Sequence, residues 1–258
     1  MMWKKDSQYK PKTSWQPVSQ WYSRLVDEEG HYYHQHVVLP NLLRMMKLLP
    51  GQNLLDLACG QGILSRSIPQ EISYLGIDIA PSLIEEAKKV NTNATHRFWV
   101  GDITRPIKMS EKYDWAVIIL ALQNIASPYK VFLQTKQYLK PAGKLVIVLN
   151  HPCFRIPQKS DWGYDAKKNL QYRRMDQYLT KAEIAIKVSP SKEKSVATVS
   201  YHYPLSAYVE MLHDNGFMVE TMEEWISDKK STGPMAEVED RARAEFPLFL
   251  TIVARCCL

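Results

Sequence analysis

An acid and two glycines stand close together in Asp56-Leu-Ala-Cys-Gly-Gln-Gly62. Glycine lets backbone approach a bound molecule with no Cβ in the way, so Gly60 and Gly62 mark a turn that presses main chain against a ligand. A carboxylate at Asp56 beside that turn opposes a pyrophosphate but suits a cation. Asp78 lies about twenty residues beyond the turn, where a carboxylate can accept hydrogen bonds from a ribose diol. Asp102 can accept from the exocyclic amine of a purine while Ile79 and Ile103 cover its faces. The other use of an acid at that place is to cap a helix. The third glycine of the dinucleotide fingerprint is missing, and Ser65 occupies its position.

These acids converge only if each ends a strand of one sheet. Apolar runs at 53–57, 74–78, 97–100, 115–120 and 144–149 read as parallel strands, the fourth continuously apolar and so buried on both faces. Helices are expected at 63–68, from Pro81 to 90, and from Ser127-Pro128 to near Pro141-Ala-Gly143. Residues 205–215 read as a further helix closed by Gly216, followed by strands at 217–223 and 249–255. Residues 19–49 look helical, with Pro40 as a break. The alternation predicts an α/β fold, a doubly wound sheet with helices on both faces. We expect a helical extension over 1–49 and a sheet domain over 50–258. The latter is interrupted at about 151–203 by an aromatic, polar insertion without clear periodicity.

A cationic ligand with a ribose and an adenine describes S-adenosyl-L-methionine, with Asp56 meeting its ammonium directly or through water. The stretches Asp56–Gly62, Gly76-Ile-Asp78-Ile-Ala-Pro-Ser82, Gly101-Asp-Ile103 and Tyr113-Asp114 with its strand resemble the successive motifs of class I S-adenosylmethionine-dependent methyltransferases. Each motif alone is weak; four in order at suitable spacing are specific. The resemblance covers roughly 50–150, and the closing helix-strand-strand order extends it to the C-terminus. It implies a Rossmann-like, seven-stranded, mostly parallel sheet in the order 3-2-1-4-5-7-6 with the last strand antiparallel. It also implies that Asp56, Ala58, Gly60 and Gly62 line the methionine end. By the same resemblance Asp78 and Ile79 meet ribose and adenine, Asp102 and Ile103 the adenine edge, and Leu120 to Gln123 lie beneath the sulfonium. In many relatives the segment before the first strand folds over the cofactor, which makes Tyr22, Tyr32 and His34 further contacts.

Methyl transfer needs an aligned acceptor and, for an OH or NH acceptor, removal of a proton. His151 leaves a strand end on the ligand side and is the first candidate for a base, with the capping of a turn as its other use. Tyr172, within Gln171–Arg174, and His202, between Tyr201 and Tyr203, are further candidates in the insertion. Aromatic rings with arginines suit a planar or anionic small acceptor, or else form the insertion's own small core. Segments in this position commonly act as lids over the acceptor in the family.

The 258-residue chain is 45% hydrophobic and 23% charged, an ordinary globular composition with no apolar run long enough for a membrane span. Its start shows no secretory signal, and four cysteines without disulfide or zinc spacing suit a reduced, cytoplasmic protein. The formal charge of +6 is concentrated in 151–200, where ten Lys or Arg face five Asp or Glu. That dilution disfavours nucleic acid as a partner, and no metal site is expected. A small-molecule acceptor at O or N is the leading reading. An RNA or protein methyltransferase, a nicotinamide oxidoreductase and a non-catalytic S-adenosylmethionine-binding module are its rivals. The residues name neither the acceptor nor the oligomeric state.

Overall fold

The computed structural model describes residues 32–187 and 197–257. The expected apolar runs form strands β1 Asn53–Leu57, β2 Ser73–Asp78, β3 His96–Val100, β4 Tyr113–Ile119 and β5 Leu139–Asn150. Further along the chain come β6 Ser160–Asp165, β7 Leu170–Met175, β8 Ala182–Lys187, β9 Ala197–His202, β10 Phe217–Trp225 and β11 Phe249–Cys256. Seven of them make one sheet in the order β3-β2-β1-β4-β5-β11-β10, with β11 antiparallel to both neighbours. Counting only these seven, the order is the 3-2-1-4-5-7-6 implied by the resemblance.

Strand alternation divides the core into two layers. Leu55 and Leu57 of β1 and Leu145, Ile147 and Leu149 of β5 face one side. Leu54, Val146 and Val148 face the other. Each such fully buried side chain contributes roughly 1.5–3 kcal/mol of burial free energy. Helices α1 Leu39–Met46 and α2 Pro81–Val90 cover the second layer through Leu42, Met46, Ile84 and Ala87. Helices α3 Pro128–Tyr138 and α4 Leu205–Asp214 cover the first through Val131, Phe132, Tyr208 and Leu212. The fifth helix, α5 Ala236–Glu245, joins β10 to β11. After β1 the chain builds β2 and β3 on one side and returns to place β4 on the other. The crevice at the carboxyl ends of β1 and β4 is therefore the switch point where a doubly wound sheet receives its ligand.

Three local expectations change. Pro40 does not break the helical run. A π-helical turn, His34–Val38, precedes α1, and the Leu39 N–H reaches back to His34 O, so Pro40 falls in the first turn of α1, where a missing N–H costs nothing. The segment 63–68 forms only a short 3₁₀ turn, Leu64–Arg66. The insertion is not irregular: β6 pairs with β7 and β8 with β9 as antiparallel hairpins. Most side chains of β6 and β7 are exposed or half-buried, so the sequence carries no alternation to read there.

Candidate active site

β1 ends in a turn built from left-handed residues: Ala58 at φ 60°, Gly60 at 56° and Gly62 at 74°. Asp78, at the end of the neighbouring strand, holds that turn. Its Oδ2 accepts from the Gly60 N–H at 2.9 Å and its Oδ1 from the Ala80 N–H at 2.9 Å. Cys59 N–H donates to Ile77 O, and the Ser65 hydroxyl closes the turn by donating to Gly62 O at 2.7 Å. Gly62 has a second constraint, since a Cβ there would lie 2.8 Å from the Phe98 ring.

Asp56 is 3% exposed and accepts a 2.7 Å hydrogen bond from the Tyr74 hydroxyl. The register explains the reach. Asp56 sits beside Gly76, and Tyr74 lies two residues earlier on the same face of β2. A Cβ at Gly76 would lie 2.8 Å from Cys59 Sγ and 2.9 Å from the Tyr74 hydroxyl, so the bare glycine lets both side chains cross it. Burial pushes the Asp56 carboxyl up to about 7; the Tyr74 hydrogen bond opposes this, and the charge of Asp78 adds to it. Burial also raises Asp78, against the opposing backbone N–H groups of Ala80, Gly60 and Ile79. Two desolvated acids beside a left-handed turn carry a cost that a bound cation would relieve.

Asp102 follows β3. Its Oδ1 accepts from the Thr104 N–H at 2.9 Å and hydroxyl at 2.6 Å, and Arg105 Nε lies 3.5 Å from Oδ2. It also lines an open groove of about 650 Å³ along the outer edge of β3, with Lys88, Trp99 and Arg105. Neither Asp56 nor Asp78 lines that groove. Ile103 is buried in the first core layer, whereas Ile79 is half-buried beside Asp78.

The carboxyl end of β4 repeats the strained geometry. Leu120 has φ 51°, and its N–H donates to Val148 O at 2.8 Å. A β-turn-sized 3₁₀ segment, Leu122–Asn124, follows. Gln123 Nε2 donates to Leu120 O at 2.8 Å, which fixes the amide, and the buried Oε1 has no hydrogen-bond partner among the described residues. A buried unpaired acceptor is costly unless a ligand donor meets it. The second hairpin covers this end: Ser200 Oγ approaches Gln123 O at 3.5 Å, and the Tyr203 hydroxyl donates to Ala126 O at 3.0 Å. Sheet end and insertion thus meet over the place expected beneath the sulfonium.

His151 is 1% exposed. Its Nδ1 accepts from the Cys153 N–H at 3.2 Å, so the ring proton sits on Nε2 and points to Glu224 Oε1 at 2.6 Å. Burial lowers its pKa, with Glu224 opposing. Both nitrogens are engaged inside the protein, and the side chain caps the turn after β5 instead of presenting a free base. His202 Nε2 donates to Tyr178 O at 2.7 Å and fastens the second hairpin to its own approach segment. Tyr172 is 45% exposed, its ring lying across Gly163 of the paired strand. The three candidate side chains thus each have partners of their own: His151 the Cys153 N–H and Glu224, His202 the Tyr178 carbonyl, and Tyr172 the backbone of Gly163.

Tyr22 lies outside the described residues. The Tyr32 hydroxyl donates to Asp228 at 3.0 Å, its ring stacks on His36 at 4.2 Å, and Lys229 Nζ sits 4.3 Å from the ring centre. Tyr33 shares a 3.2 Å hydrogen bond with Ser227. His34 is half-buried in the π-helical turn. The loop after β10, through Ser227, Asp228 and Lys229, thus holds Tyr32 and Tyr33 ahead of the π-helical turn. Tyr74 was missed, although a tyrosine inside an apolar parallel strand signals a hydroxyl in search of a partner.

A strand-end acid, a left-handed glycine turn and a second acid gripping that turn, at the switch point of a sheet that ends in an antiparallel hairpin, define the Rossmann-like class I methyltransferase architecture. The family model described as a methyltransferase domain matches residues 48–237. The chain belongs to the methyltransferase-domain family, whose class I members depend on S-adenosyl-L-methionine. A demethylmenaquinone methyltransferase from Tropheryma whipplei is 28% identical over 114 residues, 42% of this chain and 46% of that protein. A ubiquinone biosynthesis O-methyltransferase from Coxiella burnetii is 27% identical over 120 residues, 43% of this chain and 50% of that one. The chain thus spans about half the length of these curated relatives. The crystal structure of an S-adenosylmethionine-dependent methyltransferase from Mesorhizobium loti shares the fold. Its TM-score is 0.66 at 23% identity, over 83% of this chain and 96% of that one. No helix among the described residues is long and apolar enough to cross a membrane.

Proposed function

We propose that the protein transfers the methyl group of S-adenosyl-L-methionine to a small-molecule acceptor at O or N. The observation that carries this reading is the covered crevice. Ala58, Gly60 and Gly62 make a left-handed turn at the switch point, Asp56 and Asp78 set buried carboxyls beside it, and the second hairpin meets Leu120–Gln123 through Ser200. The donor would supply a methyl group made reactive by a positive sulfonium. In this reading Asp78 accepts from the ribose hydroxyls, using lone pairs left beside its two backbone bonds. Asp56 faces the ammonium, and the approach of that charge favours its ionised form. Ile79 covers the adenine, with Asp102 and Ile103 at its edge, and Tyr32 and His34 belong to the segment that folds over it. In this reading Gln123 Oε1, buried and without a partner among the described residues, accepts a hydrogen bond from the acceptor's OH or NH, which aligns its lone pair with the methyl carbon.

The reading assigns no resident base. In-line displacement at a sulfonium methyl depends mainly on alignment and exclusion of water, and the acceptor's proton can leave to solvent as the lid opens. The two curated relatives are named for quinone pathways, which agrees with a small aromatic acceptor here. Incubation with methyl-labelled S-adenosylmethionine and fractionated cell extract tests the proposal. Label should enter a low-molecular-mass fraction. Calorimetric titration showing no affinity for the cofactor, or label found only in RNA or protein, would overturn it.

A further inference from the structure

β3 closes the sheet on one side, with β2 as its neighbour there, so its outward N–H and C=O groups meet no ladder partner among the described strands. Crossover helices normally cover the faces of such strands, but residues 101–112, which lead from β3 to β4, contain no helix. Trp99 and Val100 are left 37% and 54% exposed, and the groove of about 650 Å³ lies against them. Trp99 is level with Ile77 of the first core layer, whereas Lys88 reaches the groove from the last turn of α2, which covers the second.

The loop wall is fixed in place. The Ile107 N–H donates to the Tyr138 hydroxyl at 2.7 Å, and Thr104 folds back on Asp102 through its N–H and hydroxyl. Gly101 brings that loop close to the strand, since a Cβ there would lie 3.1 Å from both Ile107 and Ile77. The charges along the groove do not balance. Asp102 is the one acid among its lining residues, and Thr104 and Arg105 already satisfy it. Lys88 and Lys108 line the same groove, and neither lies within ion-pair distance of a carboxylate among the described residues. Arg97, 6.0 Å from the Trp99 ring centre, is by contrast paired with Glu111.

Pockets for small organic ligands run to about 300–1,000 Å³, which this groove matches. An exposed indole beside a valine favours a flat ring, and two unpaired ammonium groups favour an anion. Among the described residues read as meeting the methyl donor, Asp102 alone lines the groove.

We propose that the groove beside β3 is a second ligand site, for a flat aromatic anion whose ring lies against Trp99 and Val100 and whose carboxylate or phosphate is met by Lys88 and Lys108. The proposal goes beyond the methyl-transfer reading and does not depend on it. Calorimetric titration of the full chain with 1-naphthoate, 1-naphthyl phosphate and neutral 1-naphthamide, each with and without saturating S-adenosylhomocysteine, tests it. One or both anions should bind saturably, with the same affinity whether or not S-adenosylhomocysteine is present, and the tighter of the two names the carboxylate or the phosphate. The affinity should fall about tenfold or more in Lys88→Gln/Lys108→Gln and in Trp99→Leu. No saturable binding of either anion, an unchanged affinity in either variant, or naphthamide bound as tightly as the anions overturns the proposal. Displacement of the anion by S-adenosylhomocysteine also overturns it, by assigning the groove to the donor site. The affinity for S-adenosylhomocysteine in the same samples judges the methyltransferase reading separately.

Discussion

Asp56→Asn should separate the cost of the cofactor site from its use. In the folded protein the Asp56 carboxyl titrates at about 7, against an ordinary 3.8. The folded state therefore holds this proton more tightly than the unfolded chain does. The sign follows: stability tied to Asp56 is fully present below about pH 4, and it declines as pH rises, until the folded carboxyl has ionised above about pH 7. The slope is about 1.4 kcal/mol per pH unit, so between pH 5.5 and pH 8 wild type should lose about 2 kcal/mol from this group. An asparagine keeps an oxygen to accept from Tyr74 and does not titrate. Urea unfolding of both proteins at the two pH values measures the effect, and the difference between them cancels the groups that do not feel the Asp56 charge, the histidines included, while Asp78 stays coupled to it. The variant should gain on wild type by about 2 kcal/mol across this range while its affinity for S-adenosylmethionine falls. Parallel pH profiles would refute the assignment of a desolvated, functional charge to Asp56.

Asp78→Ala removes the group that grips Gly60 and Ala80 and is read as the ribose partner. Calorimetry should show cofactor binding weakened by about 1–3 kcal/mol, and an unchanged dissociation constant would remove Asp78 from that role. Gly76→Ala drives a Cβ into Cys59 and the Tyr74 hydroxyl. It should cost about 1–3 kcal/mol in urea unfolding, and a variant as stable as wild type would show that the strand can shift to make room. His151→Gln should lose stability but keep the pH dependence of methyl transfer. The stability that neutral, buried His151 contributes is present above its ordinary 6.5 and lost as pH falls below it, so wild type should lose more than the variant on acidification. A transfer rate that loses its pH dependence in the variant would restore His151 as a base.

The strand-end acids and the glycine turn could be read from sequence because backbone geometry dictates their residue types. Gly62 is confined by a positive φ and by the Phe98 ring, and Asp78 is held by two N–H groups that a strand end must present to something. Such demands leave little choice of amino acid, and the spacing between them is set by strand and helix lengths. The insertion, proposed to cover the acceptor, obeys no comparable rule. Its hairpins β6–β7 and β8–β9 are short, and most side chains of β6 and β7 are exposed or half-buried, so neither pair announces itself by alternation; the turn between β6 and β7 is marked only by Asp165 accepting from Lys167 and Lys168 and by Asn169 at φ 47°. His151 shows the same limit at one residue. A histidine at a strand end looks like a base in sequence, and only the direction of the Cys153 N–H shows that its lone pair is already taken. The chemistry of an in-line transfer asks for position more than for a particular side chain. The acceptor is therefore better sought in what a site leaves unbalanced, such as the unpaired Oε1 of Gln123, than in any residue that looks catalytic by type.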